Sequence, residues 1–462
     1  MKLLAKTIII LGAIYFQLNL KQTPILLRGI VEGFYGTPWN FDIRADLLKF
    51  CGEYNLNAYI YAPKDDPYHR DKWREPYPED KISELKGLVD ISLENNVHFI
   101  FAVSPGLDLN YEGEKGEQDL QLMINKLDMM YNIGIRDFAI FFDDLEGEQS
   151  GKNQANFLNR LQDSLDKKYV DIFHLITVPT LYYIRSMLEE DGNINQYTKE
   201  FSKILNKKYI VLYTGDDIVS DGISEKSYQA VKDIYKRNLG IWWNYPVNDY
   251  YKNEKKRNIK LALGPIEKLP KNRVNSIFFN PMGQPLLSKI AIGTGADYAI
   301  NTYKYNPIES WNRVIEKQFG ELAPAMKVFA SHSQHMEVFN LICGPADAPI
   351  FYEKAHQAVL DTKEGKNIDF IELDNLINEM EIAAKTLLEK LPKNILKECK
   401  LMLEQFERIA IADKIASQSL KNKKLDSKLI NIKKKIEKKE SKAKISELSA
   451  VLFIDEVIEL LK

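Results

Sequence analysis

Two adjacent carboxylates, Asp143 and Asp144, end the apolar segment DFAIFFDD at 137–144. Neighbouring residues of a regular strand point to opposite faces, so both can face a substrate only if the backbone leaves the strand there. The pKa values of two crowded carboxylates move apart, which leaves one group ionised and the other protonated and able to give up a proton. Glycoside hydrolysis requires this division of labour. The pair alone leaves two other roles open, Mg²⁺ binding and capping of the following helix.

Polar side chains also follow the other apolar segments, and aromatic residues lie among them. Aromatic rings stack on the C–H faces of a sugar ring, while carboxylates and amides hydrogen-bond its hydroxyls. A set of this composition predicts a carbohydrate site. The polar side chains are Glu32, Lys64, Asp65, Asp66, Ser104, Asp143, Asp144, Thr180, Thr214, Asp216, Asp217, Asn244, Asp249 and Asn280. The aromatic residues are Phe34, Tyr35, Trp39, Tyr182, Trp242, Trp243 and Tyr245.

These residues need a scaffold that brings the ends of distant segments together. Eight segments rich in apolar, β-branched or aromatic residues begin 29 to 41 residues apart, and most intervals between them have helical periodicity. Near-continuous apolar strands are typical of a parallel sheet that is buried on both faces. The segments are 28–34, 57–63, 98–105, 137–144, 173–180, 208–215, 240–247 and 276–283. In the helical interval 81–96, the residues expected on one apolar face are Ile82, Leu85, Leu88, Val89 and Leu93.

This alternation predicts an α/β fold, a (β/α)8 TIM barrel, over residues 28–315. A doubly wound open sheet is the competing interpretation, but the even spacing of eight units favours closure. The lack of a Gly-rich phosphate loop also argues against a dinucleotide-binding fold. TIM barrels form their active sites at the C-terminal ends of the strands, where the polar side chains above are found.

The strand pattern stops after about residue 310, and residues 316–462 predict an all-α domain. Within this domain the segment 421–444 holds 11 Lys against three acidic residues. Leu425, Leu429, Ile432 and Ile436 continue an apolar stripe there, so a helix with a solvated basic face is the simpler interpretation. Binding of an anionic polymer or a membrane is the alternative.

Composition excludes several classes of protein. The 462 residues include 63 Lys and Arg against 65 Asp and Glu, which argues against a nucleic-acid binder. Three scattered Cys residues suit neither a disulfide framework nor a zinc site. The six His residues form no HExxH or HxH pair, so we expect no His-ligated metal.

The first 27 residues have a character of their own. Lys2 and Lys6 precede an apolar run, 7–18, that is too short to span a membrane but suits a signal peptide or an anchor. We therefore expect secretion or membrane association. An edge strand or the remnant of a preceding domain is the alternative, and it leaves a cytoplasmic location open.

Five motifs together resemble glycoside hydrolase family 84, the β-N-acetylglucosaminidases related to O-GlcNAc hydrolases and to bacterial enzymes often labelled hyaluronidases. The resemblance covers about 28–340 and implies a retaining mechanism in which the substrate's own acetamido oxygen is the nucleophile. It implies no metal or organic cofactor. The motifs are RGIVEGFYGTPW (28–39), NAYIYAPKDDPYHRDKWREPYP (57–78), DFAIFFDD (137–144), IWWNYPVNDY (241–250) and NPM (280–282).

The resemblance also implies a role for each matching residue. Asp143 would orient and polarise the acetamido group, and Asp144 would act first as general acid and then as general base. Tyr182 would hydrogen-bond the acetamido group, and Trp242 would form a wall of the pocket. The residues expected to hold or surround the sugar are Gly33, Lys64, Asn244, Asp249 and Asn280.

The function implied is exo-acting hydrolysis of terminal β-linked N-acetylglucosamine from glycoproteins or glycans. Two alternatives stay open, namely a carbohydrate-binding protein on an inactive barrel and an endo-acting hyaluronidase. Retention of both carboxylates argues against the first, since a binding module does not need an acid pair. An endo-acting enzyme needs an open cleft, whereas Asp249 gripping the terminal sugar would close the pocket.

Overall fold

The computed structural model describes residues 24–250, 255, 258–271, 274–338 and 341–462. The chain forms two compact units. The first comprises the residues up to Asn244 with Lys268–Pro281 and Gly295–Asn306. The second comprises Tyr245–Glu267, Met282–Thr294 and Pro307–Lys462.

Eight parallel strands in the first unit close into a barrel. Each strand pairs with the next along the chain, and the last pairs with the first. The predicted (β/α)8 barrel followed by helices is therefore confirmed. The strands are β1 (Leu27–Glu32), β2 (Ala58–Tyr61), β3 (His98–Val103), β4 (Asp137–Phe141), β5 (His174–Val178), β6 (Ile210–Tyr213), β7 (Gly240–Trp243) and β8 (Ser276–Phe279).

The strands close into a barrel because their side chains are apolar on both faces. Every residue of β2, β4, β7 and β8 is buried, and a core cluster including Val31, Ile60 and Phe141 lies among the strands. Burial of this area, at about 25 cal/mol per Å², provides the main driving force for closure.

Helices connect most of the strands. They are α1 (Phe41–Glu53), α2 (Glu79–Glu94), α3 (Gly113–Asn132), α4 (Gly151–Lys168), α5 (Ile184–Met187), α6 (Gln196–Ile204) and α7 (Glu225–Tyr235). In α2 the apolar face forms as predicted except at Leu93, which is 66% exposed. The buried face at this end of the helix runs through Val89 and Ser92, and Leu93 lies to one side of it.

The second unit is mainly helical. After α8 (Pro285–Ile300), whose last residues belong to the first unit, its helices are α9 (Pro307–Phe319), α10 (Ala323–Ser331), α11 (Pro349–Lys363), α12 (Ile371–Lys390), α13 (Lys393–Lys421), α14 (Ser427–Glu440) and α15 (Ala450–Leu461). A 3-10 turn, Gly320–Leu322, separates α9 from α10.

One short hairpin departs from the expected all-helical pattern. β9 (Met336–Val338) and β10 (Leu341–Cys343) pair antiparallel, so the expectation that strands end after about residue 310 is wrong here. Strands of three residues are too short to produce a recognisable two-residue periodicity.

The described helices include none with the length and apolarity that crossing a bilayer requires. Most of the segment 1–27, expected to be a signal, an anchor or a domain remnant, lies outside the described residues. Its described part is 24–27, and β1 begins at Leu27.

Candidate active site

The C-terminal ends of the barrel strands bring together most of the predicted site residues. All of the parallel strands end at the same rim, so the loops that follow them share one neighbourhood. The residues placed there, after β1, β2, β4, β5, β7 and β8, are Gly33, Lys64, Asp143, Asp144, Tyr182, Asn244 and Asn280.

The backbone at the acid pair leaves the strand, as the sequence required. β4 ends at Phe141, and Asp144 takes the left-handed conformation with φ of 56°. A side chain in this region carries a backbone cost of about 1 kcal/mol or more, which the surrounding contacts must offset. The turn frees the two neighbouring carboxylates from the alternation of a strand.

Asp143 is paired on one oxygen and open on the other. Lys64 Nζ forms a salt bridge with Asp143 Oδ2, and both side chains are almost fully buried. Asp143 Oδ1 is also buried, yet no hydrogen-bond donor reaches it within the described part of the chain. A buried acceptor without a donor costs about 1–3 kcal/mol, so this oxygen is suited to receive a donor from a ligand.

Asp144 is held by two tyrosine hydroxyls. Tyr35 Oη donates to Oδ2 at 2.7 Å, and Tyr182 Oη donates to Oδ1 at 2.8 Å. Burial favours the neutral acid, but the charge of Lys64 and the two donated hydrogen bonds outweigh it. The pKa of Asp144 is therefore held below its usual range, and the carboxylate is ionised at neutral pH.

Tyr35 and Arg70 contact the acid pair. The sequence predicted Tyr35 as one of the aromatic residues among the polar strand ends but gave it no role toward the acid pair, and it did not predict Arg70. Arg70 Nη1 donates to Tyr35 Oη at 2.8 Å, and its Nη2 lies 3.5 Å from the backbone oxygen of Asp144. Both residues belong to motifs used for the family resemblance. Tyr35 follows β1 by three residues, so its position at the rim was the available signal.

The other side of the site is a connected set of amides and an indole. Trp242 Nε1 and Asn280 Nδ2 both donate to Asn244 Oδ1, at 2.8 and 2.9 Å. Asn244 Nδ2 donates in turn to the backbone oxygen of Ile218 at 2.7 Å. Asn280 Oδ1 is buried and receives no donor from the described residues, so it can accept a hydrogen bond from a sugar hydroxyl.

Gly33 makes room for the indole of Trp242. A Cβ at residue 33 would lie 2.3 Å from Trp242 Cζ2 and 2.6 Å from its Cη2. Any larger residue would displace the ring, which also packs edge-on against Phe141 with centroids 5.4 Å apart. The glycine is thus required by a close approach rather than by its backbone angles.

Two polar side chains that follow the strands are committed to the scaffold. Glu32 is fully buried and forms two hydrogen bonds of 2.9 Å with the Arg44 guanidinium. Asp66 accepts hydrogen bonds from Tyr61 and Tyr77 at 2.7 and 2.9 Å. These carboxylates therefore hold α1 and the β2 loop in place.

Asp249 belongs to a different unit of the chain from the residues above. It follows β7 in a turn within the segment Tyr245–Glu267, which belongs to the second unit. Its role toward the sugar stays a prediction. A group of side chains with the spacing of metal ligands, His98, Asp137 and His174, lies at the opposite end of the barrel.

Comparison with known proteins found matching families for the barrel and for the helical part of the chain. A family model described as beta-N-acetylglucosaminidase matches residues 28–331, and one described as hyaluronidase post-catalytic domain-like matches 356–454. The protein O-GlcNAcases of Mus musculus and Rattus norvegicus are each 32% identical over 293 residues. The match covers 61% of this chain, and the chain spans only 30% of the length of these relatives.

Solved structures extend the likeness to nearly the whole chain. The structure of CpGH84B has a TM-score of 0.86 at 37% identity, covering 94% of this chain and 77% of that chain. A mutant of the Thermobaculum terrenum O-GlcNAc hydrolase has a TM-score of 0.79 at 26% identity, covering 94% of each chain. The family model spans more than half of the sequence and includes the C-terminal end of every barrel strand. The chain therefore belongs to the β-N-acetylglucosaminidases of glycoside hydrolase family 84, as its motifs indicated.

Proposed function

We propose that this chain is a retaining, exo-acting β-N-acetylglucosaminidase that removes terminal β-linked N-acetylglucosamine from glycoproteins or glycans. The observation that carries the proposal is the asymmetry of the acid pair. Asp143 offers one buried oxygen without a donor, while Asp144 is held by two hydroxyls that can be released. The names of the relatives, which include O-GlcNAcase and O-GlcNAc hydrolase, support this substrate class.

Asp143 would align the substrate's acetamido group. Its free Oδ1 accepts the acetamido N–H, while Lys64 holds the other oxygen and fixes the carboxylate. Polarisation of the N–H makes the acetamido oxygen a better nucleophile toward the anomeric carbon. The nucleophile is then part of the substrate and reacts at a high effective concentration.

Asp144 would gain its acidity only when the substrate enters. In the free enzyme, Tyr182 donates to this carboxylate and favours its ionised form. A bound acetamido oxygen would draw the Tyr182 hydroxyl to itself. Asp144 then loses a donor and some solvent, and both changes raise its pKa toward that of a general acid.

The reaction has two chemical steps, formation of an oxazoline and its hydrolysis. The acetamido oxygen bonds to the anomeric carbon while the glycosidic C–O bond breaks, and the proton of Asp144 passes to the leaving oxygen. Water then attacks the anomeric carbon, gives its proton to Asp144 and opens the oxazoline ring. Two displacements at one carbon retain its configuration.

Hydrolysis of aryl β-N-acetylglucosaminides with weakly and strongly acidic phenols tests this assignment. We expect Asp144→Asn to lower kcat by about 10²–10³-fold on the weakly acidic phenol, and much less on the strongly acidic one, which leaves without a proton. Asp143→Asn should impair both substrates, because alignment is needed in each case. Asp163→Asn is the matched control, since this exposed acid lies on α4 and not at a strand end.

Three results would contradict the proposal, each in a different respect. A wild-type chain that binds the sugar but turns over neither substrate would be a carbohydrate-binding protein. Cleavage of internal bonds in hyaluronan would instead show an endo-acting enzyme. An equal loss for Asp144→Asn on both phenols would overturn its role as the acid.

We also propose that the chain is exported or membrane-associated, because of the charged and apolar start of its sequence. Expression in the source cell, followed by fractionation and N-terminal sequencing of the mature protein, tests this. Recovery from the cytoplasm with Met1 retained would contradict it.

A further inference from the structure

Three metal-ligating side chains meet at the N-terminal ends of neighbouring strands, at the end of the barrel opposite the acid pair. His98, Asp137 and His174 are the first residues of β3, β4 and β5. The strands are parallel neighbours, and Asp137 pairs in register with His174. This arrangement brings together residues that lie 39 and 37 positions apart in the chain.

Both imidazoles direct the same ring nitrogen at one carboxylate. His98 Nδ1 lies 2.9 Å from Asp137 Oδ2, and His174 Nδ1 contacts Oδ1. The two rings are nearly perpendicular, with centroids 5.2 Å apart. One ligand atom of each side chain lies within 4.8 Å of the others.

The carboxylate of Asp137 is buried with no permanent cation beside it. Its side chain is 4% exposed, and among the described residues its ion-pair partners are the two histidines. The nearby Arg136 is engaged elsewhere, with its Nε 2.7 Å from Asp171 Oδ2. The charge of Asp137 must therefore be balanced by protons on the imidazoles or by a metal ion.

We propose that these three side chains bind one transition-metal dication of the zinc class. The ligands would be the Nδ1 atoms of His98 and His174 and one oxygen of Asp137. In tetrahedral geometry with bonds of about 2.0–2.2 Å, ligand atoms lie about 3.3–3.5 Å apart. His98 Nδ1 would move about half an ångström away from Asp137 Oδ2, and the three ligand atoms, which lie within 4.8 Å of one another, would be drawn around the ion. The metal would replace two N–H protons.

The chemistry of the donors selects the class of metal. Two imidazoles with one carboxylate suit zinc and its first-row neighbours, whereas Mg²⁺ and Ca²⁺ prefer sites made only of oxygen. A cavity of about 260 Å³ beside His98 and Asp137 leaves space for a water as the fourth ligand. His98 is 35% exposed and gives solvent access to the site.

A metal at this place would tie three adjacent strands together. It lies at the barrel end that contributes to stability in this fold, not at the end that carries the chemistry. The expected consequence is a more heat-stable barrel with unchanged hydrolysis. This inference is therefore independent of the proposed function.

Zinc titration of the full chain tests the site. The protein is purified without a polyhistidine tag, stripped with a chelator and desalted. Calorimetry with Zn²⁺ should show one site per chain with micromolar or tighter affinity, and saturation should raise the Tm by roughly 2–5 °C. Mg²⁺ and Ca²⁺ should leave the Tm unchanged.

Variants locate the effect. His98→Gln and His174→Gln should each weaken zinc binding at least tenfold and remove the thermal shift. His356→Gln is the matched control. His356 Nδ1 also lies 2.9 Å from a carboxylate, that of Glu456, but no other histidine of the described residues pairs with Glu456. Its zinc response should equal that of the wild type.

Two results would overturn the proposal. One is a stripped wild-type chain whose Tm and calorimetric trace do not respond to Zn²⁺. The other is an undiminished response in His98→Gln, whose partly exposed position makes it the variant expected to fold. Circular dichroism of each apo variant verifies folding before the titration.

Discussion

At the scale of single residues, the contacts of Asp144 hold its pKa below the usual range. Tyr35 and Tyr182 each donate to one of its oxygens, and Arg70 in turn donates to Tyr35. Tyr182 has a second task in the proposed mechanism, whereas Tyr35 only stabilises the ionised carboxylate. The roles of the two hydroxyls can therefore be distinguished by separate substitutions.

Tyr35→Phe should extend activity to higher pH. Tyr35 lowers the pKa of Asp144 in the free enzyme, so removing its hydroxyl raises that pKa and keeps the acid protonated over more of the pH range. The alkaline limb of kcat/KM on a weakly acidic phenol should move upward. Tyr131→Phe is the control, since Tyr131 donates to Asp171 at 2.7 Å on another part of the barrel. A limb that stays in place, or moves downward, would contradict the assigned contact.

At the scale of elements, helices and loops are fixed to the strand ends by buried ion pairs. The guanidinium of Arg44 on α1 meets Glu32 at the end of β1 through two hydrogen bonds, and Tyr59 adds a third to the same carboxylate at 2.7 Å. Because Gly33 and Tyr35 follow directly, this pair sets the direction in which the first loop enters the site.

Arg44→Met should destabilise the barrel by about 3–5 kcal/mol, because it leaves the Glu32 charge buried without a cation. The free energy of unfolding, from urea titration followed by tryptophan fluorescence, measures the loss. Lys86→Met on α2 is the control, since its pair with Asp90 is about half exposed and contributes at most about 1 kcal/mol. Adding Glu32→Gln to Arg44→Met should recover part of the loss. If Arg44→Met and Lys86→Met lowered the free energy of unfolding equally, this role of Arg44 would be contradicted.

At the scale of the whole molecule, stability depends on the second unit as well as the barrel. Asp413 of α13 is fully buried there, and neither carboxylate oxygen has a hydrogen-bond partner within the described ranges. Burial raises the pKa of Asp413 well above its usual range. The folded chain thus holds a proton that the unfolded chain releases.

Stability of the second unit should fall as pH rises because of Asp413. Above the unfolded pKa of about 3.9 the unfolded state binds fewer protons, so the free energy of unfolding drops by about 1.4 kcal/mol per pH unit until the folded pKa is reached. Asp413→Asn cannot ionise and should gain stability over the wild type as pH increases. Thermal unfolding between pH 4 and 8 measures the difference.

The control for this prediction is Asp374→Asn on α12. Asp374 is 37% exposed and pairs with Lys421, so its replacement should not remove the loss of stability at higher pH. Parallel pH profiles for the wild type and Asp413→Asn would show that Asp413 does not titrate with folding.

The amino-acid sequence alone was enough to predict the architecture and to single out Asp143 and Asp144. Eight apolar segments at regular spacing predicted the barrel, because strand burial leaves a local record of apolar residues. The same rule places catalytic groups at strand ends, so most of the rim could be named in advance. Side chains alternate between the two faces of a strand, and this alone required the backbone to leave the strand at Asp143 and Asp144. The positive φ of Asp144 meets this requirement.

Which of these groups contact one another could be learned only from the folded chain. Tyr35 and Asp144 are 109 residues apart, and Lys64 and Asp143 are 79 apart, so no local pattern records their contacts. Closure of the barrel also assigned Glu32 to Arg44 rather than to a substrate. In the sequence, His98, Asp137 and His174 are distant residues that begin three separate strands. Metal-binding motifs such as HExxH detect only ligands that lie close together on one element. Parallel pairing of β3, β4 and β5 is what brings them together.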